Sequence, residues 1–295
     1  MGKALADQFE MCARTFAEAD AALGEPLSEL IFNGPAETLT LTENTQPAIL
    51  TMSVAVWRLL ESKGVKPAFV AGHSLGEYSA HVAAGTLAFP DAVRLVRNRG
   101  RYMQEAVPVG HGAMAAILGL DEAGVNAACA EAAQGDVVSA ANLNGGGQIV
   151  IAGSAAAVAR ASERAKARGA RRAVPLQVSA PFHCALMQPA AERLAPELRA
   201  VRASDPRIPV IANVDAEPKR TAGASIEALI GQVASPVRWE NVVQRLASDG
   251  VTRYVEVWPG KALSGMIKRI AGGATILNVE GPGDLPAIEA LFSAA

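Results

Sequence analysis

The stretch that most constrains this chain is Val70-Ala71-Gly72-His73-Ser74-Leu75-Gly76-Glu77. The run Ala68-Phe69-Val70-Ala71 reads as a buried strand, residues 72–76 fit Gly-x-Ser-x-Gly, and Ser79-Ala80-His81-Val82-Ala83-Ala84 reads as a helix. Strand, sharp turn and helix together are the context in which this motif forms a nucleophile elbow. Gly72 and Gly76 leave room for close backbone approach, and Ser74 then points out from the top of a sheet. The backbone N–H of Leu75 faces the same space and can bind a developing oxyanion. Without that context the residues would be no more than a glycine-rich turn with a solvated serine.

An elbow needs a sheet behind it, and 295 residues at 50% hydrophobic content suffice for one large α/β domain or two sharing a core. The net charge of −2 gives no global attraction to nucleic acid or to an anionic membrane. Arg160, Arg164, Lys166, Arg168, Arg171 and Arg172 cluster locally and read as a solvated helix face. Cys12, Cys129 and Cys184 lie far apart and form no metal-binding spacing, and three unpaired thiols fit a reducing compartment. No apolar run has transmembrane length. The start, Met1–Asp7, lacks the apolar core of a signal peptide, so a cytoplasmic protein with no membrane or nucleic-acid partner is expected.

Taken in order, residues 3–22 read as one amphipathic helix, with Leu5, Phe9, Cys12, Phe16 and Ala19 at helical spacing. A short helix around 27–32 follows, and then Glu43–Pro47 as a polar entry to a helix over 48–62. Residues 112–178 read as a separate unit of order βαββαβ, that of a ferredoxin-like insert. Its triplet Gly145-Gly146-Gly147 leads from strand to strand, which favours a hairpin over a phosphate loop. Beyond it, strands at 208–214, 254–257 and 275–279 alternate with helices at 184–201, 225–233, 239–249 and up to 270. The expected fold is therefore α/β: a mainly parallel sheet covered by helices, an α/β-hydrolase-like core over 1–111 and 179–295, with the ferredoxin-like α+β subdomain at 112–178 inserted into it.

Two further residues stand out. In the helix predicted over 91–106, Arg94, Arg97 and Arg101 share a face, whereas Arg99 lies roughly 140° from Arg94 among Ala92, Leu95, Val96 and Met103. A buried guanidinium needs an anionic partner. That partner is either a structural Asp or Glu, or the carboxylate of a substrate gripped by the planar fork. Among four histidines, His73 lies inside the elbow and points away from Ser74 by alternation, His81 sits on the elbow helix and His111 in a glycine-flanked loop. His183, after Pro181 and at the mouth of a helix, is the best candidate base.

The chain closely resembles the malonyl-CoA:acyl carrier protein transacylases of type II fatty-acid synthesis. The resemblance spans nearly the whole chain. It rests on Thr45-Gln46-Pro47-Ala48, Gly72–Glu77, Arg99-Gly100-x-x-Met103-Gln104, Phe182-His183, Pro236-Val237-x-Trp239 and Gly260-Lys261-x-Leu263, in the family's order. It implies Ser74 as nucleophile, His183 as base, the backbone carbonyl of Gln232 as the group orienting the histidine, and Arg99 as the grip on the malonyl carboxylate. Gln46 matches a glutamine lining the cleft, and Phe182 sits beside the base where malonyl-selective relatives carry a bulky residue. The implied partners are malonyl-CoA and acyl carrier protein; no cofactor or metal is implied, and a monomer is expected.

One departure concerns the start. Family members open with a strand and a Gly-Gln-Gly-Ser-Gln loop that supplies a second oxyanion N–H. This chain starts at what reads as the first helix, so a weakened oxyanion hole and one missing strand are expected. Two rival readings share the elbow. One is a serine thioesterase or esterase, against which an arginine on an apolar face argues. The other is a binding subunit of weak activity, motivated by the missing loop.

Overall fold

A computed structural model describes residues 1–257 and 259–293. Among the described residues the strands are β1 (Val70–Ala71), β2 (Gly112–Leu118), β3 (Val138–Leu143), β4 (Gln148–Ser154), β5 (Arg172–Pro175), β6 (Val210–Ile211), β7 (Pro218–Lys219), β8 (Arg253–Glu256) and β9 (Thr275–Asn278). Helices fill most of the rest and carry the largest apolar cluster, built from residues such as Leu5, Phe16, Leu50, Met52, Val96 and Leu198.

The α/β core is present, but among the described residues its parallel pairing amounts to two short ladders and one isolated bridge between Asn142 and Val237. β1 pairs in parallel with β6, which pairs antiparallel with β7; β8 pairs in parallel with β9. The strands expected over 68–71 and 208–214 shrink to two residues each for a local reason. Asn213 turns its N–H to Glu77 Oε2 and its Nδ2 to Gly72 O, which takes the backbone out of the ladder beyond Ile211; the same strand also starts two residues later than expected, as does that at Val70.

β3-β4-β2-β5 form a four-stranded sheet whose neighbours are all antiparallel, the order of the βαββαβ unit. Helices Glu122–Ala133 and Ala155–Ala167 pack on it around Ile117, Val125, Ile151 and Val158. Residues 144–147 form the hairpin between β3 and β4. This unit is stitched to the main core by Leu143 N–H to Val237 O and Val237 N–H to Ala141 O. The basic cluster is a solvated face: Arg160 pairs with Asp136, Lys166 with Glu163 and Arg168 with Glu131.

Two expected helices differ. The span 3–22 is broken into Lys3–Gln8 and Glu10–Leu23 by Phe9, whose extended backbone (φ −124°, ψ 113°) starts the second segment. The break redirects the chain so that Leu5 and Cys12 are both buried. The helix expected over 48–62 runs from Thr42 to Ser62 and takes in the polar segment, with Pro47 inside it. Pro47 lacks the N–H that would pair with the Glu43 carbonyl. Helix Phe89–Glu105 packs across this turn at Gly100, where a Cβ would lie 2.6 Å from Thr42 O and 2.7 Å from Glu43 Cα. That close approach brings Gln46 to Arg99.

Candidate active site

β1 runs into Ser74, whose backbone (φ 51°, ψ −109°) lies on the left-handed side of conformational space. Such a conformation costs a non-glycine residue about 1–3 kcal/mol and persists only where the surroundings impose it. Here Asn213 Oδ1 accepts the Ser74 N–H at 2.7 Å, and Gln232 Nε2 donates to Ser74 O at 2.9 Å. Gly72 is obligatory, because a Cβ there would sit 2.0 Å from the Gly76 carbonyl carbon. Gly76 is not: a Cβ there meets nothing within 4 Å, so the close approach read at both glycines is required at Gly72 alone. Leu75 opens the elbow helix Leu75–Ala83, and among the described residues its N–H enters no hydrogen bond, which leaves it free to donate.

His183 reaches this point from the loop after β5, held in a left-handed turn (φ 60°). Its Nε2 lies 2.7 Å from Ser74 Oγ and its Nδ1 3.0 Å from the Gln232 carbonyl oxygen. A carbonyl can only accept, so Nδ1 carries the hydrogen and Nε2 offers its lone pair to the serine hydroxyl. Burial, with the Arg99 guanidinium adding to it, pushes His183 down to about 3. The ring is thus neutral at physiological pH, the form a base requires.

Arg99 is 2% exposed, whereas Arg94 and Arg101 on the same helix are solvated. Its Nη1 donates to Gln46 Oε1 at 2.7 Å, and its Nη2 to Gln232 Oε1 at 2.9 Å and to Ser74 Oγ at 3.1 Å. The Tyr78 ring lies 5.4 Å away. Among the described residues no carboxylate forms an ion pair with it, and Nε has no partner. Every group it touches is neutral, which removes the structural salt bridge left open by the helical periodicity. Burial lowers its pKa, and the Tyr78 and Glu77 side chains nearby offset part of that without forming an ion pair.

The structure thus brings Ser74, Leu75, His183, Gln232, Arg99 and Gln46 into one cluster. Phe182 is half-buried beside His183, packed between the main apolar cluster and a smaller one that includes Met114 and Val150 of the inserted unit. His73 points away from Ser74: its Nε2 lies 3.0 Å from Asn144 Oδ1, and its ring packs 5.8 Å from that of Trp239. His81 is fully buried and His111 exposed. Sequence reasoning missed Asn213, Glu77 and the side chain of Gln232. Glu77 could have been found, since it follows the motif one turn into the elbow helix, where a carboxylate must be buried against the sheet.

Residues 1–270 match the family model of the acyl transferase domain. The chain is 51% identical over 284 residues to the malonyl CoA-acyl carrier protein transacylase of Salmonella typhimurium, covering 96% of this chain and 92% of that protein. The crystal structure of an acyl carrier protein S-malonyltransferase from Vibrio cholerae superposes with a TM-score of 0.96 at 48% identity, covering 98% of this chain and 94% of that one. A malonyl-transacylase solved in complex with its type II PKS acyl-carrier protein superposes with a TM-score of 0.95 at 47% identity, covering 97% and 93%. With an elbow serine, a neutral histidine and a buried arginine at its centre, the chain belongs to the acyl transferase family and, within it, to the malonyl CoA-acyl carrier protein transacylases.

Proposed function

We propose that this enzyme transfers the malonyl group of malonyl-CoA to the phosphopantetheine thiol of acyl carrier protein through a malonyl ester on Ser74. His183 Nε2 takes the hydroxyl proton as Ser74 Oγ attacks the thioester carbonyl. The developing oxyanion meets the Leu75 N–H at the N-terminus of the elbow helix. The tetrahedral adduct collapses, and the imidazolium returns its proton to the departing CoA thiolate. The carrier thiol then attacks the ester with the roles reversed, and Ser74 leaves with its proton restored. Gln232 O holds the tautomer of His183 throughout.

The observation that carries this reading is the buried Arg99 with only neutral partners and Nη2 at 3.1 Å from Ser74 Oγ. A malonyl ester places its free carboxylate one methylene beyond the ester carbonyl, within reach of that fork. Binding it neutralises the charge that adds to the effect of burial on His183, so the base strengthens somewhat when a diacid is in place. Gln46 steadies the far side of the guanidinium, and Phe182 limits the room beside the base.

The same reading divides the chain into a catalytic domain, 1–111 and 179–295, and a small subdomain, 112–178, supported by the separate apolar cluster of that unit. It takes the protein as a cytoplasmic monomer without nucleic-acid or membrane partners. The net charge of −2 supports this, as does the absence, among the described residues, of any helix long and apolar enough to cross a membrane.

Labelled malonyl-CoA tests the function, with and without holo acyl carrier protein. A malonyl adduct on Ser74 that moves to the carrier, and that Ser74→Ala abolishes without unfolding the protein, is expected. Release of free malonate at the same rate whether or not carrier is present would make this a thioesterase. No adduct at all would make it a binding subunit.

A further inference from the structure

The buried carboxyl of Glu77 has no part in the mechanism above, yet it touches the one residue that joins all the others. Glu77 is fully buried on the elbow helix. Its Oε2 accepts from Gln232 Nε2 at 2.7 Å and from the Asn213 N–H at 3.0 Å. Gln232 in turn meets His183 through its backbone carbonyl, Ser74 O through Nε2 and Arg99 through Oε1.

A glutamine amide can sit either way round, and chemistry decides here. Ser74 O and Glu77 Oε2 only accept, and Arg99 Nη2 only donates. With Glu77 in place, the nitrogen faces the elbow and the oxygen faces Arg99. Without an acceptor at Oε2 the nitrogen loses its shortest partner and keeps Ser74 O, which already receives the Glu77 N–H at 3.1 Å, and Asn213 Oδ1 at 3.4 Å, so the orientation depends mainly on the Arg99 donor that it should itself hold in place. A flipped amide would aim N–H groups at the guanidinium and push it out of place. From this network we infer that Glu77 is a positioning residue for acyl-group selection, fixing the Gln232 amide so that Arg99 is held ready for the carboxylate. The inference rests on Arg99 as the carboxylate grip.

What matters is the acceptor, not the charge. Oε1, the other oxygen, has no hydrogen-bond partner and lies 4.0 Å from His81 Nε2, likewise unpartnered. A proton taken up by Glu77 would settle on Oε1 and leave Oε2 accepting. Burial favours that uptake and raises Glu77 to about 7. Glu77→Gln mimics this form, with its amide nitrogen in the Oε1 position beside His81. Glu77→Met removes the acceptor at similar volume.

The readout is the ratio of kcat/KM for malonyl-CoA to that for acetyl-CoA with holo acyl carrier protein. A loosened elbow or a weakened fold scales both substrates and leaves the ratio alone; a displaced Arg99 changes it. Glu77→Met is expected to lower the ratio about tenfold or more, mainly through the KM for malonyl-CoA, while Glu77→Gln keeps it near the wild-type value. Gln232→Leu, which keeps the backbone carbonyl for His183, is expected to lower it likewise and decides the matter if Glu77→Met does not fold. In an Arg99→Ala background neither change lowers the ratio further. An unchanged ratio in Glu77→Met or Gln232→Leu, with a collapsed ratio in Arg99→Ala, would overturn the role of Glu77 and leave that of Arg99 standing. An unchanged ratio in Arg99→Ala itself would remove both. A fall in Glu77→Gln as large as in Glu77→Met would show that charge, not acceptor geometry, is at work, and would overturn the inference as stated.

Discussion

Arg99→Ala is the most informative single perturbation. The guanidinium is 2% exposed and its hydrogen-bond partners are the neutral oxygens of Gln46, Gln232 and Ser74, so a malonyl carboxylate would be the anion that pairs with it directly. Truncating one partner of a buried, hydrogen-bonded charge pair costs about 2–5 kcal/mol. At 1.36 kcal/mol per tenfold this is about 30- to 5,000-fold in kcat/KM. Near-complete burial places the pair in the upper part of that range, so a fall of about 400-fold or more is expected for malonyl-CoA. Acetyl-CoA has no carboxylate to lose. The substitution also removes the donor on Ser74 Oγ and the cation that depresses His183, so acetyl transfer should hold or rise. The assay is steady-state transfer of each acyl group to holo acyl carrier protein, with the adduct on Ser74 followed by mass spectrometry. An equal fall for both substrates would refute the reasoning and make Arg99 a structural residue.

Three further outcomes follow from the elbow and its buried groups. Gly72→Ala should fail to fold or melt far below the wild type, since its Cβ would meet the Gly76 carbonyl carbon at 2.0 Å, while Gly76→Ala should melt as the wild type does; calorimetry on both checks this. Asn213→Ala should lower kcat for malonyl and acetyl transfer alike, because it frees the Ser74 N–H and the Gly72 carbonyl without touching Arg99. Acid stability should depend on Glu77. Between pH 6.5 and 4.5 the unfolded chain takes up protons on His81 and His183, which stay neutral in the fold down to about 3, so both contributions are lost as pH falls. Glu77, raised from 4.5 to about 7, binds a proton in the folded state first and offsets part of that loss. Glu77→Gln should therefore lose stability with falling pH more steeply than the wild type, by up to about 1.4 kcal/mol per pH unit in urea unfolding; parallel slopes would contradict this.

The elbow was legible because it is local: strand, turn and helix lie within one short stretch, and each signals itself. Arg99 was legible as a buried cation because its helix is long enough for periodicity to separate it from Arg94 and Arg101. Its partners were not, because Gln46 and Gln232 lie 53 and 133 residues away, the first brought in by the close crossing at Gly100 and the second at the end of helix Ala222–Gln232. Gln232 entered through its family match as a backbone carbonyl, a group no side-chain pattern reveals. Asn213 went unread for the same reason, as it acts mostly on backbone groups. The sheet was over-read: apolar runs at 68–71 and 208–214 suggest long strands, but beyond Ile211 the groups of Asn213 that would extend the ladder are diverted to the elbow at Gly72, Ser74 and Glu77.

The separation in sequence of the groups gathered at Ser74 has a consequence for the protein during its synthesis. The base is 109 residues downstream of the serine, and Gln232, which fixes both the elbow and the histidine, is 158 residues downstream. At 5–20 residues per second a ribosome needs roughly 8–30 s to travel from one to the other. For the first 109 residues of that stretch the emerging chain displays the elbow sequence without His183, and for the whole of it without the amide that holds its strained backbone. A ribosome-bound fragment that stops short of Gln232 therefore lacks the carbonyl that meets His183 and the amide that holds the Ser74 backbone, and under the proposed mechanism it does not cleave acyl-CoA.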